Sequence, residues 1–159
     1  VRAIMTLGVA GCGKSTFAEK LKDRFLEINL DECRELVNGN ESDNSNPKEV
    51  ADYRDRLIEL AAMQGTDIIL SDTNINPHFR NMLLNKLKNL GYQVTLVHLD
   101  TPVEKCLEFN ENRDRQVPDE AIIEMQEKMQ EQIENSKMKH PAITRFIRHN
   151  PLNDEMPNL

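Results

Sequence analysis

The sequence predicts an α/β fold: a parallel sheet of about four to five strands, helices on both faces, and an arginine-bearing lid. Three observations carry that expectation. Short apolar runs alternate with helix-period segments along most of the chain. A glycine-rich stretch separates the first run from the first helical segment. The polar residues that stand out, at positions 31, 72–74 and 100, each follow an apolar run, which is where ligands bind in such sheets. The 159 residues suit one domain, 1–159, with a single core.

In order, Ala3-Ile4-Met5-Thr6-Leu7 reads as a buried strand. Residues 16–23 carry Phe17, Ala18 and Leu21 at helical spacing, and that helix ends near Arg24. Residues 25–29 offer a second strand. A helix from Asp31 turns Cys33, Leu36 and Val37 inward. Residues 38–46 are polar and low in complexity, a mobile loop. Asn46-Pro47-Lys48-Glu49 reads as a capped helix start, with Tyr53, Leu57, Leu60 and Ala61 as the buried face and Gly65 as the stop.

Residues 66–71 form the next strand. Asn76-Pro77 starts a helix that buries Phe79, Met82, Leu83, Leu87 and Leu90 and stops at Gly91. Residues 93–99 alternate as a strand. Thr101-Pro102-Val103-Glu104 reads as a capping box, with Cys106 and Leu107 facing in. Residues 110–118 are polar and basic, the lid. Pro118 opens a long helix striped by Ile122, Met125, Met129 and Ile133, with Glu124 and Lys128 paired on its exposed side. Residues 145–148 offer a last short strand, and 150–159 read as a tail.

The stretch Gly8-Val9-Ala10-Gly11-Cys12-Gly13-Lys14-Ser15 fits G-x-x-x-x-G-K-[ST], the loop that wraps a polyphosphate. The pattern is informative only between a strand and a helix, and both flanks are present. Gly8, Gly11, Cys12, Gly13 and Thr16 then belong to the phosphate cradle. Lys14 is set to pair with β and γ phosphates, and Ser15 to hold Mg2+ through its hydroxyl. ATP and Mg2+ are the cofactors this implies. Other positions carry two readings each. Asp31 is a general base or a helix cap. Arg34 grips an acceptor phosphate or is a solvated arginine. Asp72 orients the metal or forms a turn, with the metal reading favoured and Thr73 and Asn74 then facing the acceptor. Arg113 and Arg115 belong to a closing lid or to a charged linker. The Met125–Met129 stripe reads as core, and His98 as a satisfied core or edge residue.

Composition narrows the classes. A formal net charge of −7 argues against a broad grip on a nucleic-acid duplex and leaves room for contact with a strand end. No run of 18 apolar residues exists, so no membrane partner is expected. Val1 in place of a starting Met fits an excerpt, and residues 1–7 are too short for a signal peptide. Three dispersed cysteines, Cys12, Cys33 and Cys106, argue against disulfides or zinc and for a reducing, cytoplasmic setting. The four histidines lack ligand spacing, so no metal beyond Mg2+ is expected.

Three further blocks carry a family likeness. They are Ile28-Asn29-Leu30-Asp31-Glu32-Cys33-Arg34, then Ser71-Asp72-Thr73-Asn74-Ile75-Asn76-Pro77 leading to Arg80, then Asn110-Glu111-Asn112-Arg113-Asp114-Arg115-Gln116-Val117-Pro118. With the phosphate loop they are collinear, from Ile4 to about Met129, with the kinase domain of bacteriophage-type polynucleotide 5'-kinases, which the chain resembles. The resemblance implies a P-loop kinase fold and transfer of the γ-phosphate of ATP to 5'-hydroxyl ends of single-stranded or nicked DNA or RNA. It implies Asp31 as base and Arg34 on the phosphate 3' of the terminal nucleoside. Asp72, Thr73, Asn74 and Arg80 fall in the acceptor and metal site, and Arg113 and Arg115 on the donor phosphates. The lid is one residue shorter than the family pattern. No Asp-x-Asp-Gly-Thr phosphatase signature occurs. Two other readings stay open: a kinase of a small metabolite or nucleotide, and an ATPase switch that has no need of Asp31 and Arg34.

Overall fold

The computed structural model of the chain describes residues 1–135 and 138–159. Among these, five strands form one sheet: β1 (Arg2–Leu7), β2 (Leu26–Ile28), β3 (Ile68–Leu70), β4 (Gln93–Leu99) and β5 (Ile143–His149). All neighbours run parallel, in the order β2-β3-β1-β4-β5. The helices are α1 (Lys14–Glu19), α2 (Leu30–Asn38), α3 (Pro47–Met63), α4 (Pro77–Asn89), α5 (Val103–Glu111) and α6 (Asp119–Glu134). The chain leaves β1 toward one edge and every later crossover moves toward the other. Because such crossovers are right-handed, α1 lies on the opposite face from the helices that follow β2. β1 and β3 are neighbours whose connections diverge, so a crevice opens beyond their carboxyl ends.

The sheet is the core. Ile68, Ile69 and Leu70 are all fully buried, as are Met5 and Leu7 of β1 and Leu96 and Val97 of β4. Both faces are covered, which is why these strands read as continuous apolar runs. Each such side chain contributes roughly 1.5–3 kcal/mol through burial. No helix among the described residues is long and apolar enough to cross a membrane.

Several expectations about the helices need correction. α1 begins at Lys14 rather than Thr16 and ends at Glu19, and turns carry the chain to β2. Asn46 does not cap α3 through its side chain. It adopts a left-handed conformation and its amide donates instead to Asn38 Oδ1 at 3.1 Å. The capping box at 101–104 is absent, because Thr101 Oγ1 turns inward and donates to the Cys12 carbonyl at 2.7 Å. Leu36, Leu60, Phe79 and Met82 are exposed rather than buried. In α4 the buried stripe is Arg80, Leu83, Leu84 and Leu87. Leu83 and Leu87 are buried as expected, while Arg80 and Leu84 take the places expected of Phe79 and Met82. Asn76 does cap α4, accepting from Phe79 N at 3.1 Å. The last strand is longer than expected and pairs with β4 along its length.

Candidate active site

The phosphate-binding stretch joins β1 to α1 at the crevice. Gly11 and Gly13 have φ of +81° and +97°, backbone states that side-chain-bearing residues avoid. A Cβ on Gly11 would strike the Cys106 carbonyl oxygen of α5, so α5 packs directly behind the loop. The Thr101 bond to Cys12 fixes the same loop from the start of that helix. Lys14 Nζ arches back over the loop, donating to Val9 O at 2.7 Å and Gly8 O at 3.4 Å. Gly8 N donates to Thr73 O at 3.2 Å and ties the loop to the turn after β3. The hydroxyl-bearing Ser15 and Thr16 follow Lys14 along the cavity wall.

The second wall is the start of α2. Asn29, not Asp31, is its cap: Asn29 Oδ1 accepts from Glu32 N at 2.8 Å, and its amide reaches Ser71 Oγ at 3.2 Å. The cap reading of Asp31 is thereby corrected. Asp31 instead receives Arg34 Nη2 and, from the lid, Arg115 Nη1 at 2.6 Å, both on Oδ1. Arg34 is part-buried, and its Nε donates to Glu41 O at 2.9 Å, so it is no free surface arginine.

The turn after β3 forms the floor. Asp72 Oδ1 accepts from Leu30 N at 3.0 Å. Burial pushes the Asp72 carboxyl above the usual carboxylate range, with the Asp31 charge adding to it. The Leu30 N–H, Arg54 and Lys14 pull the other way. Thr73 lines the cavity beside it. Asn74 and Arg80, expected to face an acceptor, lie behind this floor. Asn74 has φ +53° and its amide donates to Thr6 O at 2.8 Å. Arg80 is 2 % exposed, and its Nη1 donates to the carbonyls of Asn74 and Ile75, both at 3.0 Å. Each thus shapes the turn that presents Asp72 and Thr73, because a buried guanidinium or amide needs acceptors and the turn supplies them.

The lid rises from the end of α5. Buried Asn110 clasps its far end, accepting from Val117 N at 3.1 Å and donating to Val117 O at 2.7 Å. Arg113 and Arg115 both line the cavity. Arg113 makes no side-chain hydrogen bond or ion pair with any described residue. The phosphate loop, α2, the floor and the lid enclose one cavity of about 700 Å3.

Sequence reasoning missed the remaining wall. Phe109, Met125, His149, Pro151, Leu152 and Met156 line it. Met125 is therefore more than core, and the expected tail turns back to form part of the site. Pro151 Cγ would sit 3.6 Å from a Cβ on Gly13, and the His149 ring lies tilted against Phe17 of α1 with centroids 5.4 Å apart. Only the proline at 151 hinted at a turn. His98 is buried, and its Nε2 has no hydrogen-bond partner among the described residues, which corrects the satisfied-core reading. Burial pushes the Cys33 thiol up to about 11 and the Cys106 thiol to about 12, so neither acts as a thiolate near neutral pH. Among the described residues no three His, Cys, Asp or Glu side chains cluster as a metal-binding group.

Comparison with known proteins agrees with this architecture. The family model AAA_33, described as an AAA domain, matches residues 4–132. The chain is 26% identical over 168 residues to a protein of Autographa californica nuclear polyhedrosis virus described as a bifunctional polynucleotide kinase/RNA ligase, covering 97% of this chain and 23% of that one. It is 27% identical over 130 residues to the L-seryl-tRNA(Sec) kinase of Methanococcus maripaludis, covering 79% and 51%. In fold it is similar to a chain of the Pnkp1/Rnl/Hen1 RNA repair complex, with a TM-score of 0.76 at 19% identity over 84% of this chain and 45% of that one. The chain thus spans from about a quarter to about half of the length of these proteins. With a parallel five-stranded sheet and a phosphate loop at its switch point, the chain belongs to the AAA_33 family and has the fold of a P-loop kinase domain.

Proposed function

We propose that the protein is an ATP-dependent polynucleotide 5'-hydroxyl kinase that phosphorylates the ends of single-stranded or nicked DNA or RNA. The observation that carries the reading is the shared cavity. It joins a phosphate loop to an aspartate–arginine pair on α2, an aspartate on the floor and two lid arginines. A hydrolytic switch has no need of the Asp31–Arg34 pair.

In this reading the donor's phosphates lie along 8–16, and Lys14 exchanges the Val9 and Gly8 carbonyls for β and γ oxygens. Arg113 covers charge that develops on the transferring group. The apolar wall at Phe109, Pro151, Leu152 and Met156 takes the nucleoside end of ATP. Ser15 and Asp72 are hard oxygen donors, and Asp72 Oδ2 accepts no hydrogen bond from the described residues, a set that suits Mg2+. When bound, the ion would draw negative charge off the phosphate oxygens.

Asp31 takes the proton of the 5'-hydroxyl as its oxygen attacks the γ-phosphorus. The bond to the bridging oxygen breaks and ADP leaves. Arg34 holds the phosphate on the 3' side of the acceptor nucleoside, and Thr73 borders the acceptor. Asn74 and Arg80 keep the floor turn in shape. Three free cysteines suit a reducing compartment such as the cytoplasm.

The test uses γ-labelled ATP, Mg2+ and a short single-stranded oligonucleotide carrying either a 5'-hydroxyl or a 5'-phosphate. Label is expected on the hydroxyl end only, and Asp31→Ala is expected to lower transfer by about 100-fold or more, the scale of a lost base. No label on either strand, with ATP still bound, would sink the reading. A hydroxyl acceptor other than a polynucleotide 5' end, such as a small metabolite, is the second reading, since the L-seryl-tRNA(Sec) kinase that the chain is similar to is named for a seryl acceptor. Phosphorylation of a compound in a metabolite panel but not of oligonucleotides would select it.

A further inference from the structure

We propose that the two lid arginines serve different substrates: Arg113 the donor, and Arg115 the acceptor, with Arg115 and Arg34 forming a two-guanidinium seat for the phosphate beside the acceptor hydroxyl. This rests on the kinase reading above and reassigns Arg115 from the donor side.

The argument begins with where Arg115 is anchored. Its Nη1 meets Asp31 Oδ1 at 2.6 Å, and its Nη2 reaches Asn44 Oδ1 at 3.4 Å. Asp31 belongs to α2 and Asn44 to the 38–46 loop, so both anchors stand away from the phosphate loop. Arg113, two residues earlier, bonds to neither anchor and lines the cavity unengaged by any described side chain. The lid bends at residues 113–115, between and at the two arginines, so they are not held on one face as alternate residues of a strand would be.

Charge gives the second part. Arg34 and Arg115 converge on one carboxylate oxygen. Two guanidiniums share a single negative charge there, and their other contacts, Glu41 O and Asn44 Oδ1, are neutral. The spot is left with a net positive charge that one phosphate oxygen balances. Guanidinium forks match phosphate oxygens better than they match a single shared oxygen. The same pairing covers the atom that must accept the hydroxyl proton. Transfer of both guanidiniums from Asp31 to the incoming phosphate uncovers Oδ1 in the step that seats the hydroxyl beside it. An acceptor without that phosphate leaves the base covered. Arg115 would therefore set specificity for acceptors phosphorylated next to the reacting nucleoside.

Steady-state transfer is measured with ATP varied against fixed acceptor, and then acceptor varied against fixed ATP. The acceptors are a nucleoside 3'-monophosphate and a 5'-hydroxyl oligonucleotide. Arg115→Gln is expected to raise acceptor KM by about ten- to a hundredfold, the scale of a lost charge-assisted hydrogen bond, while ATP KM changes less than about twofold. Arg113→Gln is expected to do the reverse. Arg115→Lys restores part of the acceptor affinity. Asn44→Asp, on an exposed loop where folding is not at stake, places a carboxylate against Arg115 and raises acceptor KM several-fold. Arg115→Gln acting mainly on ATP KM, or Asn44→Asp leaving acceptor KM unchanged, overturns the assignment even in an active kinase. Wild-type protein that labels neither acceptor overturns the kinase reading and this proposal with it.

Discussion

Replacing Gly11 with alanine separates two costs that usually arrive together. Gly11 has φ +81°, and its added methyl would meet the Cys106 carbonyl oxygen, with Asn110 N and the Cys106 carbonyl carbon at 3.3 Å. These are backbone atoms of a packed helix and cannot swing aside. Gly39 has the same φ, +81°, and nothing within 4 Å of the added carbon. Gly39→Ala therefore reports backbone strain alone, about 1–2 kcal/mol. Gly11→Ala adds the overpacking of α5, about 1–3 kcal/mol more. The entropy that alanine removes from the unfolded chain is common to both and cancels in the difference. For a chain of this size 1 kcal/mol moves the melting midpoint by about 2–4 °C, so Gly11→Ala is expected to melt about 2–12 °C below Gly39→Ala. Thermal unfolding followed by far-UV circular dichroism measures both. Two variants melting within a degree of each other would refute the claim that α5 rigidly backs the phosphate loop.

Other outcomes follow from the same geometry. Asp72→Asn is expected to cut transfer by about 10- to 100-fold yet stabilise the fold at neutral pH. The Asp72 carboxyl lies above its usual range, so the unfolded chain ionises first and folding is penalised above that range. The gain should disappear as pH falls below the ordinary value of 3.8, and a urea midpoint unchanged at pH 7 would contradict it. Burial, aided by Arg148 and opposed by Asp100, holds His98 below the usual imidazole value of 6.5. The stability it lends is present above 6.5 and lost as pH falls below, so His98→Leu should flatten the urea midpoint between pH 7.5 and 5.5. An equal slope in both proteins would count against this. Asn110→Ala removes both Val117 bonds and is expected to cost about 1–3 kcal/mol locally. Trypsin should then cut faster after Arg113 and Arg115, and an unchanged cleavage rate would show that the clasp is not what holds the lid.

The sheet edge that gathers the candidate site was legible in the sequence where a loop needs special residues in fixed order. Gly8 to Ser15 needed only its strand and helix flanks, and Asn76-Pro77 marked a helix start through chemistry local to the chain. Periodicity located the helices but misplaced some faces, since Leu60, Phe79 and Met82 each stand one position from a buried residue and Leu36 is exposed three positions from buried Cys33. Arg80 escaped because a charged residue in a core stripe reads as surface, and only the Asn74 and Ile75 carbonyls reveal why it is inside. Asp31 read as base or cap from sequence alone; Asn29, two residues earlier, takes the cap, and Asp31 is marked out only by its three-dimensional pairing with Arg34 and Arg115. The wall at 149–156 has no period and no motif. Its place depends on a sheet edge closing beside α1, which no local pattern encodes.

The Thr101 bond to Cys12, the Cys106 carbonyl under Gly11 and the Asn110 clasp on Val117 all belong to one continuous piece of chain. Anyone exchanging lids among related kinases therefore faces a cassette of 101–118. A graft of 112–117 alone would import a tip cut for a different hinge, whereas the longer segment carries its own seat against the phosphate loop and its own latch. The boundaries of that interchangeable part are set by the Thr101 and Asn110 side chains gripping backbone, so recombination between distant relatives should succeed at its two ends and fail within it.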